Sequence, residues 1–315
     1  MLRALVLGSA AGGGFPQWNS AGPACRRARA GDPAARPRTQ TSLAVTADGV
    51  RWVLLNAAPD LRAQIEANPP LHPRPASPGV VRHSPIAAVV LTGGEVDTIA
   101  GLLTLRERHA FALYAAAPVL AVLRDNPIFN AVNPAIVPRR ELPIGGAPLV
   151  LADAAGEALG LLVEAFAVPG KVPLFQEAPD GADPGRTEAG ETIGLAIRAT
   201  AGGPALLFIP GCAALTPALR ERIAGADTVL FDGTLWRDDE MICAGAGPKT
   251  GARMGHMSLD GPEGTLAAFR GLPVRRKILI HLNNTNPVLL ADSPERAAVE
   301  AAGWEVAEDG MEITL

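Results

Sequence analysis

Two Asp-Gly pairs near opposite ends of the chain, Asp48-Gly49 and Asp309-Gly310, constrain its fold more than any other feature. An Asp-Gly pair tolerates the positive φ angles of a tight turn, so each pair, set between short apolar runs, predicts an antiparallel hairpin. The first joins 43–47 to 52–56, and the second lies between Val306 and Ile313. From Ile86 onward short apolar runs alternate with helical stretches: 87–91, a helix over 98–108, 111–115, and a helix after Pro118. The runs 161–168, 193–197, 205–209, 228–231, 278–280 and 304–306 continue the pattern, and Ser293 with Pro294 predicts a capped helix between the last two. Such alternation marks strands joined by crossover helices. Hairpins at both ends, each leading into it, predict an α/β (α+β) protein in which two mixed sheets face each other with helices outside, a four-layer αββα sandwich.

One domain over 1–315 is the expectation, since layered α/β folds often exceed the usual domain size. A composition of 48% hydrophobic and 19% charged residues supplies a core and excludes the charge-rich character of disorder. Twenty-eight basic against 32 acidic residues leave a net charge of −4, which argues against a nucleic-acid partner. The longest apolar stretch, 110–123, is too short for a membrane span and contains Pro118. Cys25, Cys212 and Cys243 are odd in number and widely spaced, which gives no disulfide framework and suits a reducing cytoplasm. The run 2–7 reads as a first strand ending in a glycine-rich turn, Gly8-Ser-Ala-Ala-Gly-Gly-Gly14; it lacks the ending of a phosphate loop and predicts tight backbone packing beside a site. Asp60 is placed to cap a short helix ending near Asn68, and the proline-rich 69–85 reads as a surface crossing. The stretch 169–190, rich in Pro, Gly and Asp, reads as a lid.

In layered α/β proteins, chemistry sits where the carboxyl ends of strands converge. Three apolar runs end in polar residues that could meet there: Thr92-Gly-Gly-Glu95-Val-Asp97, Asp232-Gly-Thr234, and His281-Leu-Asn-Asn-Thr-Asn286. Carboxylates with an imidazole suit a divalent transition metal. Each residue also has a plainer reading: Asp97 as a helix N-cap, Asp232 as a turn former before Gly233, His281 as a buried strand-end histidine. His256, in a glycine-rich loop, ranks second among the histidines, and His72, His83 and His109 read as surface residues. Asp238-Asp-Glu240 reads as a solvated helix start.

Several longer strings stand together in order: Leu7-Gly-Ser-Ala-Ala-Gly-Gly-Gly14 with Pro16-Gln-Trp-Asn19, Arg36-Pro-Arg-Thr-Gln40, Phe231-Asp-Gly-Thr234, Asp238-Asp-Glu-Met241, Met254-Gly-His256, His281-Leu-Asn-Asn-Thr-Asn-Pro287, Asp292-Ser-Pro-Glu-Arg296 and Asp309-Gly310. Covering nearly the whole chain, they resemble the coenzyme PQQ synthesis protein B family. The resemblance implies the metallo-β-lactamase fold and a role in making pyrroloquinoline quinone (PQQ). It further implies iron-dependent, oxygen-using hydroxylation of the tyrosine ring in a Glu-Tyr-derived precursor. The alternative it carries is a non-catalytic carrier in transport of PQQ or its precursor toward the periplasm. A dipeptide or other small-molecule precursor is the implied partner, with a homodimer left open.

The chain departs from the family pattern in two places. The fold's Thr-His-x-His-x-Asp-His motif, laid on Thr92 to Thr98, finds Gly93, Glu95 and Thr98 at the histidine positions and, of its metal-binding residues, keeps only Asp97. The resemblance therefore implies catalytic roles for Asp97 and His281, with iron weakly held by these two and helped by Asp232, Glu95 or His256. After Trp18-Asn19, where the family has Cys-x-Cys-x-x-Cys, stand Ser20, Gly22 and Cys25, too few thiolates for structural zinc.

Overall fold

The computed structural model describes residues 1–74, 78–171 and 190–315. Two seven-stranded mixed sheets face each other. The first runs, in spatial order, β14 (Glu312–Thr314), β1 (Arg3–Gly8), β2 (Ser42–Thr46), β3 (Trp52–Leu55), β4 (Ile86–Val90), β5 (Ala112–Ala115) and β6 (Arg139–Glu141). The second runs β13 (Trp304–Val306), β12 (Arg276–Ile280), β11 (Thr228–Asp232), β10 (Leu206–Ile209), β9 (Ile193–Ala199), β8 (Ala158–Ala167) and β7 (Leu149–Ala152). β3 to β6 are mutually parallel, as are β10 to β13, and the inner strands β3, β4, β5, β10 and β11 carry the near-continuous apolar runs of a sheet covered on both faces.

The four layers follow from the two-residue period of a strand. Ala88 and Val90 of β4, Leu230 of β11, and Ile278 and Ile280 of β12 point into a core between the sheets. Their neighbours point outward. Val89 packs with Leu61 of α2 (Leu61–Ala67) and Val119 of α4 (Ala117–Asp125). Val229, Phe231 and Leu279 pack with Ala28 of α1 (Pro23–Arg29), Leu219 and Ile223 of α5 (Pro217–Ala224), Leu266 of α7 (Thr265–Ala268) and Val299 of α8 (Pro294–Ala301). Burying each such large aliphatic side chain contributes about 1.5–3 kcal/mol, so the alternation itself fixes which face of each strand meets which layer.

The turn at Asp48-Gly49 is the expected hairpin: β2 and β3 pair antiparallel, Gly49 has φ 74°, and Asp48 Oδ1 accepts from the N–H groups of Val50 and Arg51. Asp309-Gly310 is not a hairpin. β13 is parallel to β12 in the second sheet, whereas β14 pairs antiparallel with β1 in the first, so the turn carries the chain from one sheet to the other. Gly310 still needs its φ of 87°, which is why the sequence signal is the same. The Asp309 carboxylate accepts from Ser9 Oγ and from the N–H and Oγ1 of Thr39, which ties the crossover to the first strand and its turn.

Helix starts were partly legible. Ser293 caps α8, accepting from Arg296 N–H at 3.0 Å with Pro294 in the first turn. Asp60 precedes α2 but does not cap it; its Oδ2 accepts instead from the backbone and side chain of Gln40. The helix expected over 98–108 is α3 (Val96–Ile99) continued as a 3₁₀ segment, Ala100–Leu105. Of the stretch read as a lid, 172–189 lies outside the described residues. Among the described residues no helix is long and apolar enough to cross a membrane.

Candidate metal centre

Parallel strands bring their carboxyl ends to one edge, and β4, β11 and β12 deliver the three polar segments there. β4 passes through Thr92, whose N–H and hydroxyl both donate to Asn56 Oδ1, and on to α3. Asp97 is not the N-cap of α3. Glu95 holds that position, and Asp97 lies in the first turn, where its carboxylate is free to leave the helix. A Cβ on Gly12 would lie 3.5 Å from Asp97 Oδ2, so the glycine-rich turn packs its backbone against this carboxylate, as the sequence suggested. Asp97 Oδ2 stands 3.2 Å from His281 Nε2, joining the first sheet to the second.

His281 follows β12 with φ 63°, a left-handed conformation that costs a non-glycine residue about 1–3 kcal/mol and redirects the side chain at the strand end. Asp232, fully buried at the end of β11, accepts four hydrogen bonds. Oδ1 takes the N–H and the hydroxyl of Thr234 at 3.0 and 2.5 Å; Oδ2 takes Cys212 N–H at 2.8 Å and His256 Nδ1 at 2.7 Å. Thr234 Oγ1 also meets His281 Nδ1 at 2.8 Å and His256 Nδ1 at 3.1 Å. The two imidazoles stack, with centroids 5.2 Å apart. His256 is as firmly held as His281, despite its glycine-rich surroundings. Its backbone N–H bonds Gly251 O at 2.9 Å, and that of Met257 bonds Cys212 O.

Burial opposes charge on Asp97 and Asp232, yet both carboxyls stay below the usual carboxylate range, Asp97 through its bond to His281 and Asp232 through the charge and bond of His256. Burial likewise opposes charge on His281, but the bond and charge of Asp97 raise it above the ordinary histidine value. Burial and the neighbouring Asp232 push the Cys212 thiol up to about 12, so it remains a protonated thiol.

Asp232, His256 and His281 offer ligand atoms that all lie within 4.8 Å of one another, close enough to hold one metal ion. These histidines, Asp97, Thr98 and Thr234 line a cavity of about 570 Å³. Glu95 stands on the same cavity but pairs with Lys171 at 3.2 Å. Sequence reasoning assigned no role to Thr234, a residue with no motif value of its own that touches three members of the cluster. It also took Glu240 for a solvated helix-start residue. That carboxylate begins α6 (Glu240–Cys243) but is tucked inward, accepting from Trp236 N–H at 2.7 Å and Thr285 Oγ1 at 2.5 Å. The residues after Trp18 do not fit a thiolate zinc site. Cys25 is buried with Sγ 3.7 Å from Asn284 Oδ1, Ser20 Oγ accepts from Gly22 N–H, and Gly22 offers no donor atom.

Facing mixed sheets with histidines and carboxylates at their converging strand ends define a protein of the β-lactamase superfamily, and residues 51–282 match the model of that superfamily's domain. The chain belongs to the coenzyme PQQ synthesis protein B family. It is 60% identical over its full length to coenzyme PQQ synthesis protein B of Gluconacetobacter diazotrophicus, covering all of that protein, and 55% identical over its full length to that of Xanthomonas oryzae pv. oryzae, again with complete coverage. The crystal structure of zinc-bound PqqB from Methylobacterium extorquens is 49% identical, with a TM-score of 0.90 over 99% of this chain and 100% of that one. A diphosphatase of the PhnP family, at 20% identity and a TM-score of 0.64 over 100% of this chain and 98% of that one, shares the fold. Membership places the chain in PQQ biosynthesis.

Proposed function

We propose that the chain is an iron-dependent oxygenase of PQQ biosynthesis that hydroxylates the tyrosine ring of a Glu-Tyr-derived precursor. The observation that carries this reading is the meeting of Asp97 and His281, from opposite sheets, 3.2 Å apart on a cavity of about 570 Å³, a volume suited to a small ligand. The donor set fits a first-row divalent ion, since carboxylate oxygen and imidazole nitrogen are the ligands such ions take when they keep open positions. Asp97 and His281 would hold the ion, with His256 beside them. The chemistry iron supplies when bound is activation of dioxygen. The chain's own residues bind and orient the precursor in the cavity, and the fully buried Asp232 keeps the histidine side of the site rigid.

A carrier reading draws on Thr98, which lines the cavity where the fold's motif has a histidine. One experiment separates the two. Anaerobically purified protein is incubated with ferrous iron and a reductant, then exposed to oxygen with a Glu-Tyr dipeptide. Products heavier by oxygen atoms support the oxygenase. An unchanged dipeptide with no iron retained supports the carrier.

A further inference from the structure

The three arginines of α1 bond in two different ways. Arg27 pairs with carboxylates, Asp32 at 2.6 Å and Asp292 at 2.7 Å. Arg26 and Arg29 turn back to the loop that precedes the helix and donate to its backbone oxygens. Arg26 Nη1 reaches Ala21 O at 2.5 Å; Arg29 Nη1 reaches Ser20 O at 2.5 Å, and Arg29 Nη2 reaches Gln17 O at 2.5 Å and Trp18 O at 3.4 Å. We infer that these two guanidiniums are a clasp that closes the loop 16–22 without an ion, where the family has its cysteine cluster, and that Gln17 carries the clasp's hold to the wall of the cavity.

A loop leaves carbonyl groups without helix or sheet partners, and a planar guanidinium with several N–H donors in a fixed fork can hold more than one of them at once. The donors that would be needed for an ion are otherwise engaged or missing. Ser20 Oγ accepts from Gly22 N–H at 3.2 Å, Gly22 has no side chain, and Cys25 is buried with Sγ 3.7 Å from Asn284 Oδ1. What a zinc ion does by drawing thiolates together, Arg29 does by drawing three carbonyls together.

Gln17 links this loop to the cavity. Its carbonyl takes Arg29 and the N–H of Ser20, so its backbone is fixed by the clasp. Its side chain lies on Gly13, where a Cβ would come within 2.9 Å of Gln17 Cδ and where the backbone takes φ 90°. Gly13 lines the cavity and donates its N–H to Gln40 Oε1 at 2.9 Å. Gln17 Oε1 in turn accepts from Asn284 Nδ2 at 2.5 Å, in the segment that follows β12. One side chain thus joins the glycine-rich turn after β1 in the first sheet to the loop after β12 in the second, and Arg29 holds that side chain in register.

The test is amide hydrogen exchange on the full chain, read at the bonded N–H groups of Ser20 in the loop and Gly13 in the cavity wall. In the wild type, exchange at Ser20 should be the same with and without a chelator. Arg29→Ala should speed exchange at both amides by about 10-fold or more. Arg29→Lys should not restore protection, because an ammonium lacks the fork. Arg27→Ala, the same loss of charge on the same helix, should leave both amides unchanged. Gln17→Ala should speed exchange at Gly13 and leave Ser20 protected by Arg29. Chelator-sensitive protection at Ser20, or unchanged protection there in Arg29→Ala, would overturn the clasp; unchanged protection at Gly13 in Gln17→Ala would overturn its link to the cavity. The chelator and Gln17→Ala arms decide both points even where Arg29→Ala does not fold, and no arm depends on whether the dipeptide is ever oxygenated.

Discussion

The two sheets contribute unequally to the mouth of the cavity. From the second come Asp232, Thr234, His256 and His281, which meet one another through six polar contacts of 2.5 to 3.1 Å, with the Cys212 N–H donating to Asp232 as well. From the first comes Asp97, whose side chain meets only His281 among these residues, flanked by Glu95 paired with Lys171 and by Thr98. The difference teaches that the second-sheet side is bonded within itself, whereas Asp97 joins it through its contact with His281.

The largest effect expected from this contrast is on stability. Asp232→Ala leaves two buried N–H donors, the Thr234 hydroxyl and the His256 ring without their acceptor and should cost about 3 kcal/mol in denaturant unfolding. Asp97→Ala should cost less than about 1 kcal/mol, and equal losses would erase the distinction between the two sides. In metal binding Asp97→Ala should have the larger effect, weakening ferrous or cobaltous binding on the order of 100-fold or more, read by titration. Thr98→His should repair the weaker side. The substituted ring would enter the cavity that Thr98 lines and tighten binding by about 10-fold or more; no change would show that the first-sheet side is not what limits affinity. The smallest effect is on pH dependence. Because Asp97 holds the His281 pKa above the ordinary 6.5, a proton competes with the metal for the ring into a higher range, so affinity should keep rising with pH beyond the point at which an ordinary histidine has lost its proton. In the metal-free protein the sign is opposite. The His281–Asp97 pair contributes stability below the raised histidine pKa and loses it as pH climbs through that value, while the contribution of Asp97 fades as pH falls through its lowered pKa.

What could be read in the sequence follows the same division. Asp97, Asp232 and His281 were legible because each closes a buried apolar run, and a parallel strand can end its run only at the edge where loops converge. His256 was underweighted because a glycine-rich loop gives no sign of the backbone bond to Gly251 that steadies it. Thr234 was invisible as a functional residue, since its value lies in one hydroxyl reaching three side chains that are distant in sequence. The Asp309-Gly310 turn was read as a hairpin because a positive φ at glycine serves a change of sheet as well as a reversal of direction. β6 escaped notice because Arg-Arg-Glu at a sheet edge carries no apolar signal. β7 and β12 show the contrast from the packing side: the edge strand is part-exposed and irregularly patterned, the central one ends in three fully buried residues.

The central claim is that one ion binds where Asp97 and His281 meet. The most direct measurement is the iron content of wild type and His281→Ala after anaerobic loading with ferrous iron and desalting, with circular dichroism confirming that both are folded. Stoichiometric iron in the wild type and none in the variant is the result predicted. Equal iron in both, or none in either, would contradict it.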